Sequence, residues 1–299
     1  MAADERQLLR GELREAEPMA RHTTWHVGGP ADRFYRPADR EDLQVFLAGL
    51  APGEPLYWCG LGSNLLVRDG GLRGTVLFLQ PGLTALSVLA GNRLWVEAGV
   101  ACAKAARHAA RHGLVGAEFL AGIPGTMGGA LAMNAGAFGG ETWQVVDWVE
   151  TVDRSGNVRR RPAEVYRVAY RQVTPPGEEW YLGAMLQLQP GDGEAAMAAI
   201  RRLLSRRAAT QPIGKPSCGS VFRNPAGDHA ARLIETAGLK GHCVGGAVVS
   251  EKHANFIINR GNARARDIED LIRQIQDAVE RKHGVRLQPE VLVIGEEEA

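Results

Sequence analysis

The residues best suited to chemistry in this chain are two dense groups of glycine. Seven of the 19 residues from Gly122 to Gly140 (GIPGTMGGALAMNAGAFGG) are glycine, and a second cluster, CGLGSNLLVRDGGLRG, runs from Cys59 to Gly74. Both follow or interrupt strand-like runs. Residues without a Cβ let backbone N–H groups approach an anion and reach positive φ, so such loops offer phosphate binding. Tight turns in a crowded fold are the other use of the same residues. Spacing disfavours the two commonest phosphate loops. Gly60-Leu61-Gly62-Ser63-Asn64-Leu65 lacks the third glycine of G-x-G-x-x-G and an initial βαβ unit, and the longer stretch lacks the G-K-[ST] that places a lysine and magnesium. Two well-separated loops remain, suited to one extended ligand with a pyrophosphate at its middle. A dinucleotide such as FAD meets that demand.

Other reactive residue types say less on their own. His108 and His112 are spaced i, i+4 on an expected helix, but without the Glu of H-E-x-x-H they read as a surface face. Cys59, Cys102, Cys218 and Cys243 form no C-x-x-C pair and read as free thiols. By local pattern alone, Ser220 is a backbone hydrogen-bonder in a turn, Arg171 a solvated cation and Glu290 an edge charge beside a terminal strand.

Composition bounds what these residues belong to. The chain has 299 residues, 45% of them hydrophobic and 23% charged, enough for about two domains. Lys+Arg 35 against Asp+Glu 34 leaves +1, so no overall field favours nucleic acid or an anionic membrane, and neither is an expected partner. The mixed-charge start reads as no signal peptide, and no apolar run approaches the ~20 residues of a membrane span, so a cytoplasmic protein is expected. No metal site is expected either.

The positioning elements follow from hydrophobic period. Residues 23–36 read as strand, glycine turn and strand, and Asp39 reads as the cap of a helix carrying Leu43, Phe46, Leu47 and Leu50. Residues 56–60, 75–79, 93–99, 147–153 and 180–189 read as strands, and 101–112 as an alanine-rich helix. Gly191-Asp192-Gly193 reads as a linker into a helix with Met197, Ile200, Leu203 and Leu204 on one face. Asp228 reads as the cap of a helix through Ala237. Strand-like runs at 244–250 and 254–259 precede a helix marked by Ile268, Leu271, Ile272, Ile275 and Val279, then a last strand VLVIG. Irregular alternation of helix and strand indicates an α+β fold.

Four motifs then carry a resemblance. T-T-W-H-V-G-G-P-A-D at 23–32, G-x-G-S-N-L-L-V at 60–67, G-I-P-G-T-M-G-G-A-L-A-M-N-A-G-A-F-G at 122–139 and G-S-V-F-R-N-P at 219–225 closely resemble the UDP-N-acetylenolpyruvoylglucosamine reductase family. The match runs in order from about residue 23 to 295, nearly the whole chain. It implies an N-terminal segment 1–26, an FAD-binding domain of the vanillyl-alcohol-oxidase type over 27–193 and a substrate-binding α+β domain over 194–299. It also implies the activity: NADPH-dependent, FAD-mediated reduction of UDP-N-acetylenolpyruvoylglucosamine to UDP-N-acetylmuramate for peptidoglycan.

That reaction delivers hydride from flavin N5 to the terminal enolpyruvyl carbon, leaving negative charge to be held and a carbon to be protonated. By the resemblance Ser220 is the proton donor, and Arg171 and Glu290 stabilise the enolate. Gly60, Gly62, Ser63, Asn64, Gly122, Gly125, Thr126, Gly128, Gly129 and Asn134 are the expected flavin-loop residues. Arg207, Lys215 and Asn224 are the expected substrate contacts, with two phosphates for cations to hold. The short passage after Arg171 implies the family type lacking an extra tyrosine-bearing loop. An FAD oxidase of another substrate and a non-catalytic nucleotide-binding module are the competing readings.

Overall fold

The computed structural model describes residues 9–298; the first part of the polar leader, 1–8, lies outside them. The chain forms two compact units interleaved in sequence. One comprises the chain up to Arg14 with Phe34–Gly60 and Thr75–Arg206; the other comprises Glu15–Arg33, Leu61–Gly74 and the chain from Arg207 on. These units do not coincide with consecutive boundaries at 26/27 and 193/194. Close packing explains part of the difference. Gly191 N–H donates to Gly113 O at 2.8 Å, and a Cβ on Gly193 would overlap Ala110 O, so 191–193 is a packed turn. Asp192 Oδ1 accepts from Glu194 N and Ala195 N and starts the helix Gly193–Thr210.

The first unit is built on a five-stranded antiparallel sheet in the order Val158–Pro162, Val146–Val152, Trp180–Gln187, Arg93–Glu97, Leu86–Leu89. Alternation in these strands sends Leu94, Val96, Val149, Ala184 and Leu186 into one core. The helix Cys102–Arg111 joins that core through Cys102, Ala105, Ala106, Ala109 and Ala110, a stripe of small side chains that permits close approach. His108 and His112 lie on its other face. Burial, then the charge of His112, lowers the His108 pKa from its ordinary value. The expected helix after Asp39 spans Arg40–Ala48, with the Asp39 carboxylate accepting from Asp42 N. Leu50 falls beyond its end.

The second unit packs the helix Ala265–His283 over an antiparallel sheet of Cys243–Val244, Ala247–Val249 and Ile257–Asn259. The five apolar residues expected on that helix are all buried. Leu65–Val67 pairs in parallel with Leu292–Ile294. Two expectations fail here. Residues 23–29 form no strand, because His26 and Gly28 hold φ of 57° and 124°. The segment instead inserts the fully buried Trp25, whose Nε1 donates to Ile257 O at 2.8 Å while Asn259 Nδ2 donates to Trp25 O. Nor does Asp228 cap the next helix, Ala230–Thr236. Its carboxylate takes His229 N and the Arg232 guanidinium, while Asn224 Oδ1 accepts the first helical N–H, from Ala230, at 3.1 Å. No described helix is long and apolar enough to cross a membrane.

Candidate active site

In the first unit the long glycine loop closes against Gly60. Thr126 is buried, its Oγ1 caps the helix Met127–Met133 by accepting from Gly129 N, and a Cβ on Gly60 would overlap that oxygen. The glycines of the loop divide by what surrounds them. Gly122 faces Phe138 and Ala137, and Gly128 faces Ala98, whose Cβ would lie 3.0 Å from an added one. Met127 N and Gly128 N donate to Val100 O and Ala98 O, both at 2.8 Å, so these donors serve the fold. Gly129 differs. It is exposed, and a Cβ there would meet only Thr126 Oγ1, at 3.9 Å. Among the described residues nothing crowds that position, which leaves a bare backbone face open to a ligand. Gly125 O accepts from Cys102 N at 2.9 Å, locking the loop to the alanine-rich helix.

Asn134 ends the loop helix in the left-handed conformation with φ 43°. Its buried amide donates to Glu141 Oε2 and Ala169 O and accepts from Trp143 N, so its side chain is committed to structure. Its carbonyl turns to Arg171. The guanidinium donates to Asn134 O at 3.3 Å and Gly136 O at 2.9 Å and lies over the Tyr170 ring. Arg171 occupies a two-residue hairpin tip, between paired Ala169 and Gln172, at φ 54°. An L side chain there costs roughly 1–2 kcal/mol, so this arginine is held in a strained conformation by the carbonyls that grip it. Only 175–179 separate the strands Gln172–Thr174 and Trp180–Gln187.

In the second unit two distant segments meet. Glu290 N donates to Val221 O at 2.8 Å, Arg223 N donates to Gln288 O at 2.9 Å, and Phe222 bridges Pro289. Ser220, following Gly219 at φ 84°, therefore stands beside the segment that carries Glu290. The Glu290 charge also reaches Cys218: burial first, and that carboxylate second, push the Cys218 thiol well above its ordinary pKa.

Asn64 Nδ2 donates to Glu290 O at 3.0 Å, and Asn64 O accepts from Leu292 N. This residue, expected on the flavin loop, is thus tied to the glutamate segment. Gly62 has its own reason to be glycine, since at φ 61° an added Cβ would overlap His22 O. Ser63 is half-buried beside it. Arg207 is half-buried, donates to Gln211 Oε1 at 2.9 Å, and has its pKa lowered by burial. Lys215 is exposed. Asn255, read from sequence only as part of a strand-like run, is buried against Val221 and Phe222.

Residues 211–294 match the family described as UDP-N-acetylenolpyruvoylglucosamine reductase, C-terminal domain, and residues 31–161 match an FAD binding domain. The chain is 63% identical over 296 residues to the UDP-N-acetylenolpyruvoylglucosamine reductase of Alkalilimnicola ehrlichii, covering 99% of both chains. It is 58% identical to that of Methylococcus capsulatus, over 97% of this chain and 95% of the relative. The crystal structure of the Thermus caldophilus reductase superposes with a TM-score of 0.82 at 33% identity, covering 95% of this chain and 99% of that one. The α+β fold with its FAD-binding domain is borne out, and a chain matched so completely in sequence and in shape belongs to the UDP-N-acetylenolpyruvoylglucosamine reductase family.

Proposed function

We propose that this chain reduces the enolpyruvyl ether of UDP-N-acetylenolpyruvoylglucosamine to the lactyl ether of UDP-N-acetylmuramate, with FAD bound and NADPH as hydride donor, in peptidoglycan precursor synthesis. Bound FAD supplies the hydride chemistry that no side chain can. The protein's own work is to hold charge and deliver a proton. Ser220 protonates the carbon next to the substrate carboxylate, where a double bond has become a carbanion. Glu290 stands next to the serine segment and is the second group that steadies the enolate. Arg171 supplies a permanent cation on the hairpin tip, of the type that holds a carboxylate. Arg207, Lys215 and Asn224 contact the UDP-sugar. The observation that carries this reading is the pairing of Glu290 N with Val221 O at 2.8 Å, which sets the segment carrying Glu290 beside the residue that follows Ser220.

The FAD-loaded protein is expected to turn over NADPH beyond one equivalent of flavin only when the enolpyruvyl sugar nucleotide is present. Rapid oxidation with oxygen as the sole acceptor would favour the oxidase reading, and a protein that takes up no FAD would leave only a nucleotide-binding module.

Gly60, Gly122, Gly125, Thr126, Gly128, Gly129 and Asn134 form the part of the flavin site that belongs to the first unit. Within it, Gly128 and Gly129 separate packing from ligand contact. Gly128→Ala presses on Ala98 and is expected to lower thermal stability with or without FAD. Gly129→Ala removes a helix-interior glycine and should stabilise the FAD-free protein by a few tenths to about 1 kcal/mol while weakening FAD binding. Flavin titration beside thermal melting checks both; unchanged FAD affinity in Gly129→Ala would take that backbone face out of the cofactor site.

A further inference from the structure

We propose that Asn255 is a positioning residue for Ser220, an inference that rests on the reductase reading above. Asn255 is 4% exposed and belongs to neither glycine loop nor serine motif. Its side-chain amide closes on one residue of the serine segment: Oδ1 accepts from Phe222 N at 2.9 Å and Nδ2 donates to Phe222 O at 2.8 Å. Its backbone oxygen accepts from Val221 N, also at 2.9 Å. Val221, the residue next to Ser220, is thereby fixed from two sides, its N–H by Asn255 and its carbonyl by Glu290 N.

The bracket is itself held. Asn255 N donates to His253 Nδ1 at 3.3 Å, His253 N donates to the buried Ser250 Oγ at 3.3 Å, and the His253 ring stands edge-on to Phe256. An amide is the side chain this task requires. Only a group that both accepts and donates in one plane can satisfy the N–H and the C=O of a single residue. A left-handed glycine, Gly219 at φ 84°, precedes Ser220 and would otherwise let the turn swivel. Asn255 therefore sets the direction from which the Ser220 hydroxyl meets the carbon it protonates, without touching substrate.

The test uses FAD-loaded enzyme in stopped flow, with flavin reduction by NADPH and flavin reoxidation by substrate followed separately. In Asn255→Ala, reduction is expected at the wild-type rate, while reoxidation slows about 10–100-fold with little change in substrate KM, since misplacement by about 1 Å costs up to about 100-fold. The near-isosteric Asn255→Asp keeps an acceptor for Phe222 N and loses the donor; its reoxidation should be slowed about 3–10-fold, an intermediate loss. It keeps the test decisive should Asn255→Ala fail to fold. The solvent isotope effect on reoxidation should rise in both. In a Ser220→Ala background the same substitutions should add almost nothing, because the donor they aim is gone.

Equal slowing of both half-reactions, full additivity with Ser220→Ala, or wild-type reoxidation in Asn255→Asp together with a fall in stability would each overturn the assignment and leave Asn255 a purely structural residue. Wild-type enzyme that reduces no enolpyruvyl substrate would instead overturn the functional reading itself, so the two failures are distinct.

Discussion

Ser220→Ala is expected to leave NADPH-driven bleaching of the flavin near its normal rate and to slow reoxidation by the enolpyruvyl substrate by about 10²–10⁴-fold, or about 2.7–5.5 kcal/mol. The two stages separate because they need different things. Hydride uptake from NADPH generates no carbanion and calls on no acid. Hydride delivery to the enolpyruvyl group leaves an electron pair on the carbon beside the carboxylate, which must receive a proton within its lifetime. A hydroxyl is a weak acid in water, so Ser220 serves only if it is already in line, and its surroundings are arranged for that. Phe222 and Val221 are buried in the second unit's core, Val221 is bonded on both faces, and the Glu290 segment lies alongside. Water entering where the serine hydroxyl stood restores a proton source without its alignment, which is why the loss is partial. Unaltered reoxidation in Ser220→Ala would remove this residue from the reaction.

What was legible in the sequence follows from how local each signal is. The helix Ala265–His283 announces itself because its buried residues recur at the helical period within one window, and Asp39 because a cap and its helix adjoin. The hairpin under Arg171 has no such marker. Its tip is Tyr170-Arg171, with neither glycine nor asparagine, although Arg171 takes a conformation those residues favour. Turn chemistry could not find it, and only the resemblance singled out the arginine. Glycine counts had a different weakness. They marked both loops but could not separate Gly128, where an added Cβ would press on Ala98, from Gly129, where it would meet only Thr126 Oγ1 at ordinary contact distance. The pairing of Val221 with Glu290, and of Trp25 with Ile257, joins residues far apart along the chain, where periodicity and propensity carry no information.

Trp25 therefore makes the strongest test of the fold. Trp25→Ala is expected to destabilise the protein by about 3–5 kcal/mol, a fall of about 6–20 °C in melting temperature. The indole is fully buried, contributes to the core shared by Leu66, Val221, Phe222 and Ile257, and loses with its ring a hydrogen bond to Ile257 O. Alanine leaves a cavity that the surrounding helix and sheet cannot fill without moving. Trp25→Phe keeps much of the volume and forfeits the N–H donor, so it should cost clearly less. Amide exchange gives the sharper reading: protection should fall at Ile257–Asn259, which Trp25 braces from both its side chain and its carbonyl, while Trp180–Gln187 in the other unit keeps its own. A loss below about 1 kcal/mol would mean that residues 23–29 are a surface strap, since a filled core position does not give up an indole so cheaply. Because Val221 and Phe222 belong to the same core, the substitution should also slow substrate-driven reoxidation in folded molecules more than it slows reduction by NADPH. The tryptophan that anchors the segment before the first glycine loop then has its functional effect at the serine, through packing alone.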